Sequence, residues 1–464
     1  MLQAIYDALY QGWTFFLVFF ILVSIIMLSR QIVAACFYYQ FRKGKILNHD
    51  YQKVDITIFV TIFDESPDLL RRSLSGVRAS FDKYCSNVAL IAIVDGYDLY
   101  PEKGKQLVAV ACEFADLVFV TNARSKRKNL RNMLHRARDR GFLYEFSCFL
   151  DSDTILDDED VARELLRPFK DSGIGGVTTS QRALYLNTVP ERIGDWLENA
   201  RLFSSMAAGS LFGQVGCLPG RLYVVRTSII KDKMDELVED YWTFFGHRAQ
   251  CYAGDDRVLT NFVLQAGYRT CMIPTAGVKT LVPETYSKMF KTWERWGRSS
   301  QGYTLRSLRW LVRHPVILFQ YLSDMFISLA TVYLVAFHWP YHIFMGNSMQ
   351  PLVEAILMAI VGMCLTIIAR QVPHLYSNPR DIFLIPVFAV IITIGQFIRV
   401  KALFTPHKIG VWGTREGADR DKSSNVWVYC VWENSSRRYT PIETSQHMRQ
   451  ANNVIPISIK AGLI

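Results

Sequence analysis

The chain has 464 residues, of which 50% are hydrophobic and 20% charged, with a formal net charge of +10. That composition excludes a disordered chain, which is poor in apolar residues, and it is unlike an ordinary soluble enzyme, because apolar excess with a basic balance marks membrane spans flanked by Lys and Arg. Nucleic-acid binding would account for a pI near 9.1 but not for a mean hydropathy of +0.12, so no nucleic-acid partner is expected.

Nine cysteines are scattered singly between Cys36 and Cys430 without a C-x-x-C pair. They predict neither a zinc site nor a disulfide framework, but reduced thiols facing the cytosol. No basic segment precedes the first apolar run and no small-residue cleavage site follows it, so no cleaved signal peptide is expected.

In chain order, residues 1–45 contain the apolar run 13–39, long enough for a span of about 20 residues. Arg42, Lys43 and Lys45 follow it and put the next segment in the cytosol. Across 46–285 the pattern shortens. Runs 56–63, 88–94, 117–120 and 146–150 read as buried strands, and 69–80 and 129–140 as helices between them. This alternation predicts an α/β domain with a largely parallel, doubly wound sheet and its ligand at the carboxyl ends of the strands.

Residues 286–314 mix Lys288, Arg295 and Arg306 with Trp293, Trp296 and Trp310, which suits amphipathic helices at the bilayer surface. Residues 315–405 carry apolar blocks at 315–337, 352–369 and 382–404. The loop 338–350 lacks Lys and Arg and is expected outside. A full crossing by 382–404 would carry Arg399, Lys401, Lys408 and Arg415 outside, against the charge rule. Pro386 and Gly395 would let the block bend back, so a re-entrant or tilted interfacial segment is favoured over a third crossing. Residues 406–464 read as a cytosolic gating segment and tail.

Four acidic motifs fall at predicted strand ends or at a helix start. Asp64-Glu65 reads as a helix N-cap or a site pair. Asp95-Gly96 reads as a turn or as an acceptor for a base or ribose. Asp151-Ser152-Asp153 holds two carboxylates at i and i+2 after a buried strand, where they can share one hard cation with a diphosphate. Gly254-Asp255-Asp256-Arg257 places acids at a helix start, as macrodipole partners or as a general base facing a hydroxyl. Lys126-Arg127-Lys128 is a phosphate-pairing or a solvated basic run. Cys217-Leu218-Pro219-Gly220 reads as a tight loop rather than a nucleophile, since no base stands beside the cysteine in sequence.

As an ordered set over residues 55–415, Asp95-Gly96, Lys126-Arg127, Asp151-Ser152-Asp153, Gly254-Asp255-Asp256-Arg257, Arg295-Trp296 and Trp412-Gly413-Thr414-Arg415 resemble the membrane-embedded processive family-2 glycosyltransferases. These include the hyaluronan, chitin, cellulose and mannuronan synthases. The last segment, together with Val400 to Thr405 before it, is most similar to the hyaluronan and chitin synthases. Thr292 stands where that family usually has Gln, and Cys217 to Gly220 leans toward chitin synthases.

The resemblance implies a GT-A type catalytic domain fused to an α-helical transmembrane channel with interfacial helices. It implies a UDP-sugar donor, a growing polysaccharide acceptor and Mg²⁺ or Mn²⁺, with membrane lipids as surroundings and no obligate protein partner. By position, Asp95, Lys126, Arg127, Asp151 and Arg295 would bind the donor, with Trp412 and Arg415 closing over it. Asp151 and Asp153 would hold the metal. Asp255 and Asp256 would be catalytic, Asp256 as base, and Trp296, Cys217 and Gly220 would meet the acceptor. The implied protein is a multi-pass plasma-membrane enzyme. A nonprocessive transferase acting on a lipid or small acceptor is an alternative. A noncatalytic transporter or scaffold is another, although Asp324 and Glu354, the clearest acids of the late spans, form no obvious relay.

Overall fold

A computed structural model describes residues 2–244, 246–338, 340, 349–406, 408 and 426–431. The chain begins with the long helix α1 (Leu2–Arg42). It then alternates β1 (Asp55–Ile62), α2 (Pro67–Tyr84), β2 (Asn87–Asp95), α3 (Pro101–Phe114), β3 (Leu117–Thr121), α4 (Lys126–Asp139) and β4 (Phe146–Asp151). These four strands are parallel in the order β3-β2-β1-β4. The chain reverses its direction of travel across the sheet between β1 and β4, and the crevice at that switch point is where an open α/β sheet binds its ligand. Thr61 and Asp151 pair directly across it.

The second half carries β5 (Ile155–Leu156), α5 (Val161–Leu166), β6 (Ile174–Ala183), α6 (Val189–Ala200), α7 (Ala207–Leu211), β7 (Leu222–Arg226), α8 (Thr227–Ile230) and α9 (Met234–Val238). The hairpin β8 (Tyr241–Phe244) and β9 (His247–Gln250) follows, then α10 (Asp255–Gln265) and β10 (Arg269–Thr280). With β11 (Val426–Val431) at one edge, the sheet has nine strands in the order β11-β3-β2-β1-β4-β7-β6-β10-β5.

The expected largely parallel sheet is therefore corrected to a mixed one. The pairs β4–β7, β6–β7, β5–β10 and β3–β11 are antiparallel. Strand direction is invisible in an apolar run, because a strand buried on both faces reads the same either way. Ile56, Ile58 and Val60 pack on one face under α2 and α3, and Phe59, Ile91 and Phe149 on the other against α4. Ala34 and Phe37 of α1 join that second cluster, so the first helix is packed into the core beneath the sheet. Ser66 and not the preceding acid pair caps α2, its Oγ accepting from Leu69 N at 3.2 Å. Asp64 instead pairs with Lys103.

The basic, aromatic stretch forms one helix, α11 (Tyr286–Leu311), followed by α12 (Pro315–Tyr333), α13 (Met349–Ser377) and α14 (Ile385–Phe404). Among the described residues three segments are long and apolar enough to cross a membrane: Ile21–Arg42, Pro315–Phe337 and Pro379–Phe404. The last does not bend back at Pro386 or Gly395. Pro386 lies in the first turn of α14, where its missing N–H costs no helical bond. Gly395 makes room for the Trp293 ring, 3.2 Å from where a Cβ would stand. The helix packs against α11 between Met289 and Arg298 and against α12, where Ser328 Oγ donates to Gln396 Oε1 at 2.7 Å. Met289 packs in one cluster with Ile385 and Phe388, Lys401 Nζ lies 2.8 Å from Glu294 Oε1, and Arg298 Nε donates to Thr405 Oγ1 at 3.4 Å.

A buried charge network docks β6 and α6 on α13. His374, with 0% exposure, has Nδ1 2.8 Å from Asp195 Oδ2 and Nε2 2.8 Å from Asp381 Oδ2. Arg182 forks onto Asp195 at 2.9 and 2.6 Å, and Arg192 pairs with Asp381. Burial raises the Asp195 pKa, but His374 and Arg182 outweigh it and hold the carboxyl well below the usual range. Removing one partner strands the others in the interior. Asp195→Ala is therefore expected to lower stability by about 3–5 kcal/mol, seen as a fall in the thermal unfolding midpoint in detergent, with Asp195→Asn recovering part of it. An unchanged midpoint would mean that the network does not hold the two parts together.

Candidate active site

Asp151 ends β4, and a tight turn closed by Thr154 N donating to Asp151 O at 3.1 Å brings Asp153 back to the same cleft, where its Oδ1 accepts from Thr280 Oγ1 at 3.2 Å. Ser125 caps α4 and puts Lys126 at its first residue. Lys126 Nζ lies 2.6 Å from Asp151 Oδ1 and 3.1 Å from Asp255 Oδ2. Asp255 and Asp256 form the first turn of α10, so they meet the helix dipole, and both also line the cleft. Gly254 before them has φ +80, and a Cβ there would stand 2.0 Å from Ser299 Oγ of α11. A glycine is required on both counts.

Asp256 Oδ1 accepts from Arg257 N at 2.8 Å, and Oδ2 lies 3.5 Å from Cys217 Sγ. Gly220 lets its loop pass close to the acidic centre: a Cβ there would lie 3.2 Å from Lys126 Nζ and 3.3 Å from Asp151 Oδ2. Arg295 and Trp296 of α11 face the cleft from above, and Trp296 is 41% exposed. One continuous cavity of about 770 Å³ joins these residues to Arg30, Asp324, Arg370 and Arg399 on the apolar helices.

Neighbouring carboxylates are driven apart in acidity. Burial raises Asp256, and the charge of Asp255 raises it further, against Lys126 and Arg257. Burial also works against Asp255, yet Lys126 and Arg127 outweigh it and keep it below the ordinary carboxylate range. Asp153 is pushed up to about 7 by burial, then by Asp151 and Glu65. Burial and Asp256 push the Cys217 thiol up to about 12. It stays protonated at neutral pH and is no nucleophile.

The crowding at Asp153 fits a divalent cation, which would relieve carboxylate repulsion that Arg221 only partly offsets. Among the described residues no cluster of three or more His, Cys, Asp or Glu is placed to hold a metal. Asp151 and Asp153 would therefore need the oxygens of a diphosphate to complete a coordination shell.

Two expected donor-binding residues lie elsewhere. Arg127 is 1% exposed. Its guanidinium donates to Leu237 O at 3.0 Å and Ala253 O at 2.6 Å, pairs with Asp240 Oδ2 at 3.0 Å and also donates to Tyr303 Oη. Adjacent helical residues point about 100° apart, so when Lys126 faces the cleft Arg127 faces the core. Asp95 is likewise buried and does not line the cavity. Its oxygens accept from Gly96 N at 2.8 Å, Arg124 N at 2.9 Å and Asn129 Nδ2 at 2.8 Å, which ties together the loops after β2 and β3. Trp412 and Arg415 lie outside the described residues.

Of the pair Asp64-Glu65, Glu65 lines the cleft; sequence reasoning missed Arg201 and Arg221, which line it too, and the π-helical turn Arg201–Met206 that joins α6 to α7. Such turns often mark functional sites. It also missed Arg30 and Arg370 at the cavity's far end, for which a charge inside or beside an apolar run was the available signal.

A sheet crevice carrying paired acids, a basic cradle and an adjoining aromatic platform is the architecture of an enzyme that moves sugars from nucleotide donors. The chain belongs to glycosyltransferase family 2: the family described as "Glycosyltransferase like family 2" matches residues 54–299. An N-acetylglucosaminyltransferase of Azorhizobium caulinodans is 27% identical over 266 residues, 55% of this chain and 62% of that protein. Hyaluronan synthase 3 of Xenopus laevis is 30% identical over 173 residues, 35% of this chain and 29% of that protein. The match thus covers less than two thirds of either relative's length. A mannosyltransferase from Pyrobaculum calidifontis, solved in complex with GDP-Man and Mn²⁺, superposes with a TM-score of 0.51 at 14% identity, covering 81% of this chain and 98% of that one. At that identity the likeness is one of fold.

Arg127 gives a clean test of position against charge. Arg127→Met is expected to cost about 3–5 kcal/mol of stability by leaving Asp240 buried and unpaired, with the KM for donor unchanged in the folded fraction. A tenfold rise in KM at unchanged stability would put Arg127 at the nucleotide after all.

Proposed function

We propose that this glycosyltransferase polymerises sugars from a UDP-sugar into a β-linked polysaccharide and passes the growing chain through the membrane. One observation carries the reading: the cavity that holds Asp151, Asp153 and Asp256 continues without a break to Arg30, Asp324 and Arg399 on helices apolar enough to span a bilayer. A transferase that released a small product into water would need no such continuation.

In this reading Asp256 takes the proton of the acceptor hydroxyl as its oxygen attacks the anomeric carbon. The bond from that carbon to the diphosphate breaks in the same step, and UDP departs. One in-line displacement turns an α-linked donor into a β-linked product. The raised pKa of Asp256 suits a base, and the low value of Asp255 keeps it ionised beside Lys126, so adjacent acids take different roles. Arg295 would hold the diphosphate, Trp296 would stack on the acceptor sugar, and Cys217 and Gly220 would line the acceptor's path. Trp412 and Arg415 would close over the donor. Asp151 and Asp153 would hold Mg²⁺ or Mn²⁺ together with the diphosphate, where a divalent cation neutralises leaving-group charge.

The catalytic domain would face the cytosol of a multi-pass plasma-membrane protein. Because α14 packs on the basic, aromatic helix α11 through Trp293, Glu294 and Arg298, we assign it to a tilted segment at the interface and not to a third crossing. Arg399 and Lys401 then stay on the cytosolic side, in keeping with the charge rule.

Transfer is expected to fail as the pH drops through the raised Asp256 value, because the base acts only when ionised. The acid limb should lie above the value of about 3.9 for a free aspartate. Asp256→Asn should abolish transfer while UDP still binds, and polymer made by that variant would remove Asp256 as the base. With the protein in liposomes and donor outside, product is expected to become protected from added glycosidase as it lengthens. Product that stays wholly accessible on the catalytic side would exclude translocation.

A further inference from the structure

The acids of α10 are held from behind as well as from the cleft. Arg127 and Tyr303 are buried and stand outside the cavity, yet both reach the turn that carries Asp255 and Asp256. Arg127 Nη2 donates to Ala253 O at 2.6 Å and to Tyr303 Oη, while its Nη1 lies 3.0 Å from Asp240 Oδ2. Tyr303 Oη donates in turn to Asp240 Oδ2, so the phenol accepts from one partner and donates to the other. Burial raises its pKa against the pull of the Arg127 guanidinium and keeps it a hydroxyl. The edge of its ring stands on Gly254, with Cε2 3.2 Å from where a Cβ would lie.

Adjacent residues therefore grip one turn from opposite sides. Lys126 Nζ holds the Asp255 carboxylate at 3.1 Å in the cleft, and Arg127 holds the Ala253 carbonyl in the core. Between them Gly254 has φ +80, a conformation that has no side chain of its own to fix it. The direction in which Asp256 leaves the turn thus depends on the two grips. With about 3.6 residues per helical turn, Trp296, Ser299 and Tyr303, at i, i+3 and i+7, form one stripe of α11. Trp296 faces the cleft, Ser299 walls the turn, and Tyr303 meets the guanidinium behind it. Among the described residues Arg306 of the same helix hydrogen-bonds only to the other oxygen, Asp240 Oδ1.

A general base works only within hydrogen-bond reach of the proton it takes, and a misplacement of about 1 Å can cost about 100-fold in rate. We propose that Tyr303 is a positioning residue for sugar transfer: through Arg127 and the Ala253 carbonyl, its hydroxyl sets where Asp256 stands relative to Trp296 on its own helix. Base and acceptor platform are then held as one unit. The proposal rests on Asp256 being the base, as read above.

The test measures UDP release against donor concentration, UDP binding by calorimetry and the thermal unfolding midpoint of the purified full-length protein. Tyr303→Phe keeps the ring on Gly254 and the pair between Arg127 and Asp240, and removes only the hydroxyl. It is expected to lower kcat by about tenfold, with donor KM and UDP affinity within about twofold of wild type. Arg127→Lys keeps the charge but loses the fork that reaches Ala253 and Asp240 together, and should reproduce the kcat loss from the other end of the link. Arg306→Gln takes a charged partner from the same carboxylate. It should lower the unfolding midpoint at least as far as Tyr303→Phe while kcat stays within about twofold of wild type.

A Tyr303→Phe kcat within about twofold of wild type, an equal kcat loss in Arg306→Gln, or a loss confined to KM would each overturn the positioning role. Asp256→Asn, assayed beside them, separates the two readings. Transfer retained by Asp256→Asn would remove the base and this proposal with it, whereas an inactive Asp256→Asn beside a fully active Tyr303→Phe would remove the proposal alone.

Discussion

The ammonium of Lys126 is the interaction on which the catalytic cleft depends. Four carboxylates, Asp151, Asp153, Asp255 and Asp256, line one cavity, and Lys126 bridges the strand-end pair to the helix-start pair through Asp151 and Asp255. Without a cation between them, β4 and α10 would present like charges to each other across one crevice. The bridge also sets the two helix-start acids apart in acidity. Asp255, next to the ammonium, is held below the ordinary carboxylate range, while Asp256 is left with a raised pKa and a side chain that accepts from Arg257 N and Cys217 Sγ.

That arrangement needs backbone approaches only glycine permits. Gly254 takes a left-handed turn against Ser299, and Gly220 passes within contact distance of Lys126 and Asp151. The cleft is as much a product of α11 as of the sheet, since α11 supplies Arg295, Trp296 and the Ser299 wall. Arg127, Asp240, Tyr303 and Arg306 bind α11 to the core behind the acids. His374 with Asp195 and Asp381 binds α13 to α6. Buried ionic networks of this kind are weak sources of net stability but strong constraints on geometry once formed. Here they fix the apolar helices relative to the sheet, so that one cavity spans both.

Much of this was legible in the chain. Apolar runs marked the first four strands and the long helices, because burial on both faces of a sheet, or in lipid, leaves no polar positions. Asp151, Asp153, Asp256 and the Arg295-Trp296 pair could be found by their spacing and order, since each sits at a strand end, at a helix start or on an aromatic, basic helix. Asp95 and Arg127 carried the same kind of signal, yet in the structure both are buried on protein partners: a carboxylate that organises a loop and one that meets a ligand leave identical letters.

By itself the sequence determined the α/β alternation, the membrane-compatible segments and the identity of the acids, because these depend on composition and on short-range periodicity. Only the tertiary structure decided which strands run antiparallel, which of Lys126 and Arg127 faces the cleft, and that α14 lies beside α11. Only there do Arg30, Asp324, Arg370 and Arg399, spread over four helices, meet at one end of the catalytic cavity. Those outcomes turn on rotation about helix axes and on contacts between residues hundreds of positions apart. No local pattern encodes them, because their energies exist only once the chain has packed.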